Sequence, residues 1–257
     1  MNIILYTDLR KKVGYEISKF ISKDPETNVK IVITTNDYTL GLPVTELFPK
    51  ATRHNLEFSS TQDFNDIVYK ENVDWIMLVM GGGILSKKLI SIPKKGCINI
   101  HPGYLPLGRG YYPNIWAILE GITYGCTLYI IDEKIDHGPI IDRIAINVNH
   151  WDTAKTIYNR QEDAAIELWK NNWCNIKKNK VELLRINELE HGKLKKKKDI
   201  DDIKQIYLDK KYSGKELIDL LRAFSFPPYK EIYFMDSNGN KNYLSLDISK
   251  YKESTYE

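Results

Sequence analysis

Through the first two-thirds of the sequence, short apolar runs alternate with stretches of helical periodicity, and this alternation restricts the fold more than any other feature. The runs Asn2–Tyr6, Val29–Thr34, Val73–Met80, Cys97–Ile100, Thr123–Ile131 and Ile140–Val148 read as strands. Several are continuous Ile, Val and Leu, as expected of strands covered on both faces. Gly14–Lys23 and Asp63–Asn72 space their apolar residues three and four apart, the pattern of a helix with one buried face. Strands joined through helices lie parallel with right-handed crossovers. The expected fold is α/β: a Rossmann-like, mostly parallel sheet with helices on both faces.

A long helix is expected over about Thr153–Asn175, with Ala154, Ile157, Tyr158, Ala165, Leu168 and Trp169 on one face and Asp152 or Thr153 as N-cap. Beyond residue 180 the pattern changes to a lysine-rich stretch, a short helix near Gly214–Phe224 and two alternating runs joined through Asn-Gly, a β-hairpin signal. Two units follow: residues 1–180, and residues 181–257 as linker, short helix and a small C-terminal β-hairpin appendage. The tail is too short to build much core alone, so it must dock on the main domain or on a second chain. No internal repeat is visible.

Composition excludes several classes. No apolar run approaches the roughly 20 residues that span a bilayer. In MNIILYTDLRKK the charges follow the apolar stretch, unlike a signal peptide. The expectation is a cytoplasmic protein with no membrane partner. Cys97, Cys126 and Cys174 match neither a disulfide framework nor a zinc pattern, and read as buried or incidental thiols. The net charge is +3, and only seven of the 37 basic residues are arginine. KLKKKKD at 193–199 therefore reads as a solvated linker or helix end, and no nucleic-acid partner is expected.

In an open parallel sheet, ligands sit beyond the carboxyl ends of strands, so the loops there carry the chemistry. MGGGILS, residues 80–86, can approach a ligand closely or make a tight strand-to-helix turn. It matches neither phosphate-loop nor dinucleotide motifs. In CINIHPGY, Asn99 and His101 are two apart, so in a strand they share a face and can converge on one small group. IIDEKIDHGPII, residues 130–141, offers Asp132, Glu133 and Asp136, any of which could orient the His101 imidazole or could simply be solvated.

Together, NIHPGYLPLGRG at 99–110 and DEKIDHGPII at 132–141 resemble the N10-formyltetrahydrofolate-dependent formyltransferases. In that family an Asn-x-His pair and a downstream Asp in a D-x-G-P-I-I-like loop form the catalytic set. Asn99, His101 and Asp136 match it position by position, with Asp136 35 positions after His101. The likeness covers residues 1–180. YTDLRKKVG lacks the Gly/Ser-rich phosphate loop of the glycinamide ribonucleotide branch. Residues 181–257 hold one hairpin rather than the β-barrel of the methionyl-tRNA branch, and the regulatory domain usual in formyltetrahydrofolate hydrolases is not expected. HPGYLPLGRGYYPNIWAILEG and RAFSFPPYKEIYF are similar to the nucleotide-sugar N-formyltransferases. One departure is PLGRG, where relatives often carry a polar residue before Arg-Gly.

The resemblance implies formyl transfer from N10-formyltetrahydrofolate, as co-substrate, to the amino group of a dTDP-linked amino-dideoxy sugar. The first choice is dTDP-4-amino-4,6-dideoxyglucose, with a dTDP-3-amino sugar as the alternative, for bacterial surface polysaccharide such as the O-antigen of lipopolysaccharide. It also implies a homodimer formed through the C-terminal β-structure. Asn99 is then the oxyanion donor, His101 the proton acceptor or, if charged, a second support for the oxyanion, and Asp136 the group that orients the imidazole and favours its charged form. Folate is expected against Gly81, Gly82, Gly83, Ile84, Leu85, Ile131 and Asp132. Arg10, Lys11, Arg109 or Arg222 would meet the diphosphate, and Tyr111, Tyr112, Phe226 or Tyr229 the base or sugar. The chemistry requires no metal and no Cys or Ser nucleophile. Three other readings compete: a hydrolase releasing formate without an acceptor, a folate-binding module without turnover, and an RNA-binding protein using 193–198. The last predicts steep salt dependence; the enzyme reading expects turnover indifferent to replacing Lys195–Lys198 with serine.

Overall fold

In the computed structural model, which describes all residues except 35–38, 82, 185, 188–189 and 249–257, each expected strand is present with ends shifted by a few residues at most. The first half runs β1 (Asn2–Thr7), α1 (Lys12–Ser22), β2 (Asn28–Thr34), α2 (Val44–Leu47), β3 (Thr52–His54), α3 (Gln62–Lys70), β4 (Trp75–Val79), α4 (Lys87–Ile90) and β5 (Gly96–His101). The second half runs α5 (Pro113–Glu120), β6 (Tyr124–Ile130), β7 (Ile140–Ile146), α6 (Ala154–Lys177), α7 (Gly214–Ala223), β8 (Tyr233–Met235) and β9 (Lys241–Tyr243). The main sheet has the order β3-β2-β1-β4-β5-β6-β7. Strands β1 to β5 are parallel, and β6 is antiparallel to both its neighbours. Winding reverses between β1 and β4, which opens the crevice where such sheets take ligands.

Alternation along the strands divides the core. Ile98 and Ile100 of β5 join Ile3, Leu5, Met77 and Val79 against α1 and α6, while Cys97 joins Ile4, Ile76 and Leu78 against α3 and α4. By the same period of two, Asn99 and His101 belong to the α3/α4 side. Full burial of each such aliphatic side chain contributes about 1.5–3 kcal/mol. The long helix α6 begins with a reciprocal cap: Thr153 Oγ1 accepts from Thr156 N at 3.3 Å and Thr153 N donates to Thr156 Oγ1 at 3.0 Å.

A third cluster holds the C-terminal unit. Ile115 and Trp116 of α5 and Ala154 and Ile157 of α6 pack with Ile200, Ile206, Ala223, Phe224 and Ile232. The β8–β9 hairpin turns at Asn238-Gly239 as the dipeptide predicts, and Ile206 N donates to Tyr233 O at 2.8 Å. The described tail thus docks on its own chain.

Asp152, at the entry to α6, ties these parts together. Burial alone would raise its carboxyl, but hydrogen bonds from Arg160, Asn149 N and Thr156 outweigh this and draw it down to about 2. A folded pKa below the unfolded one gives stability that is complete above the unfolded value and lost as pH falls through the folded one. Urea unfolding should therefore lose about 2 kcal/mol between pH 5 and about pH 2 through this group. Asp152→Asn should be less stable at pH 7 and show a correspondingly shallower acid dependence; an unchanged slope would refute the assignment.

Candidate active site

Antiparallel pairing sets Asn99 opposite Tyr129 and His101 opposite Thr127, so all four side chains lie on one face of the β5–β6 pair. The loop after β6 folds back over that face. Its Asp136, at φ +47°, brings a carboxylate 3.6 Å from His101 Nδ1. Tyr129 donates its hydroxyl to Asp136 Oδ1 at 2.9 Å, and Asn99 Nδ2 donates to the Tyr129 oxygen at 3.2 Å. From the other side, Gly110 N donates to Asp136 Oδ2 at 2.9 Å. His101 is only 5% exposed. Its Nε2 faces Gly108 O at 2.6 Å and must carry the hydrogen there, because a carbonyl only accepts. Nδ1 is then the nitrogen that can take up a proton, and it faces the carboxylate.

Asn99, Tyr129 and Asp136 line an open cleft together with Leu78, Gly83, Ile84, Leu85 and the 131–135 loop. Of the residues expected against folate, Gly83, Ile84, Leu85, Ile131 and Asp132 line it. Gly82 lies outside the described residues. Gly81 serves the fold instead: a Cβ there would sit 2.4 Å from the Tyr6 carbonyl carbon and 2.6 Å from Thr7 N. Residues 133–135 of the same loop line the cleft too, as do Leu78 and Tyr129, which no sequence motif marks. Tyr129 becomes a neighbour of Asn99 only through cross-strand register, which local sequence does not carry.

A second, open cavity is lined by Lys11, Tyr112, Asn114, Tyr158, Phe224, Phe226 and Tyr229 among others. Phe226 and Tyr158 meet edge to face at 5.3 Å, and Lys155 Nζ lies 4.8 Å from the Phe226 ring centre. The 103–112 loop serves both spaces, since Gly110 holds Asp136 and Tyr112 lines the second cavity. Tyr112, Phe226 and Tyr229 are therefore brought together as expected, whereas Tyr111 is 57% exposed and lines neither space.

The arginines divide differently. Arg10 makes a two-pronged pair with Asp8, both contacts at 2.8 Å, just past β1. Arg109 Nε and Nη2 both donate to Ile135 O, at 3.2 and 2.7 Å, so it fastens the Asp136 loop. Arg222 is not at either cavity: it is buried, bonded to Asp219 and, through Nη1, to Asn149 O and Asp152 O. A cation held this way closes the junction of α6 and α7 and is withdrawn from any diphosphate.

The lysine-rich segment also departs from the expected solvated linker. Lys195 N donates to Arg109 O at 3.1 Å and Lys195 O accepts from Tyr111 N at 2.9 Å, so this strand-like strap grips the site loop. Its ammonium pairs with Glu120 and lies 3.9 Å from the Trp116 ring centre, leaving the side chain 14% exposed. Gly110, at φ +86°, lets the strap close: a Cβ there would meet Lys195 O at 2.1 Å. Cys97 and Cys126 are buried, which pushes their thiols up to about 12 and keeps them protonated, while Cys174 is exposed and away from both cavities. Among the described residues no His/Cys/Asp/Glu group could hold a metal ion, and no helix is long and apolar enough to cross a membrane.

Lys195→Ser should lower stability to urea by about 1–2 kcal/mol, from the lost cation–ring contact and ion pair. Replacing exposed Lys196–Lys198 together should change it by about 0.5 kcal/mol or less. Equal effects from both variants would sink the strap as a structural element.

Two known families match the chain. Residues 11–170 match the Formyl transferase family and residues 199–250 the N-formyltransferase dimerization C-terminal domain. A dTDP-4-amino-4,6-dideoxyglucose formyltransferase of Mycobacterium bovis is 28% identical over 156 residues, covering 61% of this chain and 66% of the relative, just short of two-thirds of its length. Among solved structures, a 4-N formyltransferase from Francisella tularensis superimposes with TM-score 0.80 at 26% identity, over 97% of this chain and 98% of that one. A sugar N-formyltransferase from Shewanella shares the fold at 21% identity, with TM-score 0.82 over 98% and 99% of the two chains.

Proposed function

The chain belongs to the formyltransferase family, and on that footing we propose that it moves a formyl group from N10-formyltetrahydrofolate to the amino group of a nucleotide-linked amino-dideoxy sugar. The observation that carries this reading is the convergence of Asn99, His101 and Asp136 beside a slot lined by Gly83, by apolar Leu78, Ile84, Leu85, Ile131 and Ile135, and by polar Asp132, Glu133 and Lys134, a mixture that suits a flat heterocycle with polar edges. The neighbouring cavity, with aromatic rings and Lys11, suits a sugar nucleotide. Lys155, against Phe226, adds a second cation near it for a diphosphate. Lys11 and Lys155 thereby replace Arg222 in that part.

The acceptor's neutral amine attacks the formyl carbon, and the formyl oxygen gains negative charge. Asn99 meets that charge with a side-chain N–H, a contribution of about 3–4 kcal/mol in the transition state for one such donor. His101 takes the amine's proton at Nδ1, where the Asp136 carboxylate stabilises the resulting imidazolium. The carbon–N10 bond then breaks, the proton passes to the departing folate nitrogen, and the sugar formamide remains. No covalent enzyme intermediate is involved, consistent with the neutral buried thiols.

The finer choices are proposals as well. dTDP-4-amino-4,6-dideoxyglucose is the first acceptor to test, supported by the 28%-identical relative and by the 4-N formyltransferase neighbour; dTDP-3-amino sugars are the alternative. The product class is a formamido sugar for surface polysaccharide such as O-antigen, made in the cytoplasm. The unit from residue 181 onward forms a homodimer contact through its hairpin and adjoining surface. Its match to a dimerization domain and its exposed Tyr207, Leu208, Ile218 and Tyr243 support this.

A formyl-transfer assay with a panel of dTDP- and UDP-linked 3-amino and 4-amino sugars tests the reading. Turnover is expected with one of them, and His101→Asn should reduce it at least about a hundredfold with folate affinity nearly unchanged. Formate release without acceptor would make the protein a hydrolase, and silence across the panel would overturn the enzyme. Sedimentation should show a dimer that Leu208→Asp with Ile218→Asp converts to monomer; a monomeric wild type would refute the homodimer.

A further inference from the structure

Tyr129 has no part in the scheme above, yet its hydroxyl stands between two members of the trio. It lies opposite Asn99 in the β5–β6 ladder, 3% exposed, with its ring packed against Leu105 and Ile140. A phenol has one hydrogen, and this one goes to Asp136 Oδ1 at 2.9 Å. The oxygen can then only accept from Asn99, so the Asn99 side chain must present its NH2 rather than its carbonyl, at 3.2 Å. An amide NH2 carries two hydrogens in a fixed plane. With one held by Tyr129, the other has a set direction and remains available in the cleft that Asn99 lines.

We propose that Tyr129 is a positioning residue that converts the negative charge of Asp136 into a fixed donor orientation of the Asn99 amide. The inference rests on the formyl-transfer reading, in which Asn99 meets the developing oxyanion. Without the hydroxyl, the amide could turn its carbonyl toward the formyl oxygen, where it would repel charge instead of stabilising it. The polarity runs one way: ionised carboxylate, hydroxyl donor, amide donor. Burial, followed by the Asp136 charge, raises the Tyr129 phenol well above its ordinary range, which keeps the hydroxyl hydrogen in place.

The test is a double-mutant cycle measured with the acceptor that the wild type uses. Tyr129→Phe should lower kcat about tenfold while both KM values stay within about twofold, because the amide matters to the transition state rather than to binding. In the Asn99→Ala background the same substitution should lower kcat less than about twofold further, since there is no amide left to orient. A residue that merely supports the fold would multiply its effect in both backgrounds, and that result, or a wild-type kcat in Tyr129→Phe, would overturn the proposal. A second measurement needs no change at Tyr129. In the nitrogen-15-labelled wild type, one of the two Asn99 side-chain amide protons, identified by loss of the signal in Asn99→Ala, should exchange with solvent clearly more slowly than the other. Equal, fast exchange of both would overturn the orientation even if the variants were unstable. A wild type that transfers no formyl group would refute the enzyme reading instead, leaving the amide measurement to decide on Tyr129 alone.

Discussion

The Asp136 carboxylate ties its own loop, after β6, to the loop that follows β5. It accepts from Gly110 N on one side and from Tyr129 on the other, with His101 Nδ1 nearby. The cost is a non-glycine residue at φ +47°, a conformation of about 1–3 kcal/mol that Asp tolerates better than most. Hydrogen bonds to an ionised group contribute about 1.5–3 kcal/mol each, so two of them more than offset that strain. Arg109 adds a further hold through Ile135 O, one residue before the carboxylate. Backbone tension and chemistry therefore meet at the same residue, with the interactions that orient the imidazole also keeping its loop bent.

The direction of β6 explains where this happens. Ligand sites of parallel sheets gather at the carboxyl ends of strands. Here β6 runs against β5, and Ile131 N donates to Cys97 O, near the amino end of β5. The following loop has to travel back along the face of the sheet to reach His101 at the other end. The result is a cleft beside β5 rather than a pit above it, with Asn99 midway along the strand able to share it. Among the described residues, α3 and α4 pack on Cys97 and the strands before it rather than on that stretch of face. The two loops take over where the helices stop.

The parts legible in the sequence are those in which one residue's neighbours along the chain decide its environment. Apolar runs, several of them continuous Ile, Val and Leu, mark the six principal strands, and the three- and four-residue spacing marks α1 and α3. β3 escaped because three residues carry no period, and α5 because PNIWAILE is apolar on nearly every side, with no polar face to reveal a helix. Asn99 and His101 are visible as a pair because strand alternation alone puts them together. Tyr129 depends on register, the fate of Arg222 on where α7 docks, and the grip of Lys195 on a strap closing over a glycine at positive φ. Each of these is settled by contacts between residues far apart in sequence. A run of lysines looks solvated until the backbone of one of them is seen pairing with the site loop.

The same distinction separates what the two cavities contribute. The cleft beside Asn99 is built from three consecutive segments of the main domain, around residues 78–85, 99 and 129–136, so its chemistry is written compactly. The aromatic cavity takes Lys11, Tyr112, Ala154 and Tyr158 from the main domain but Phe224, Phe226, Tyr229 and Glu231 from the C-terminal unit. On the proposed reading, the group that moves is handled by one unit and the molecule that receives it is recognised where two units meet. Substitutions along 224–231 could then change the acceptor without touching Asn99, His101 or Asp136. On that reading the reaction is legible in the sequence motifs, while the choice of sugar falls to a surface assembled only when the tail docks on α5 and α6.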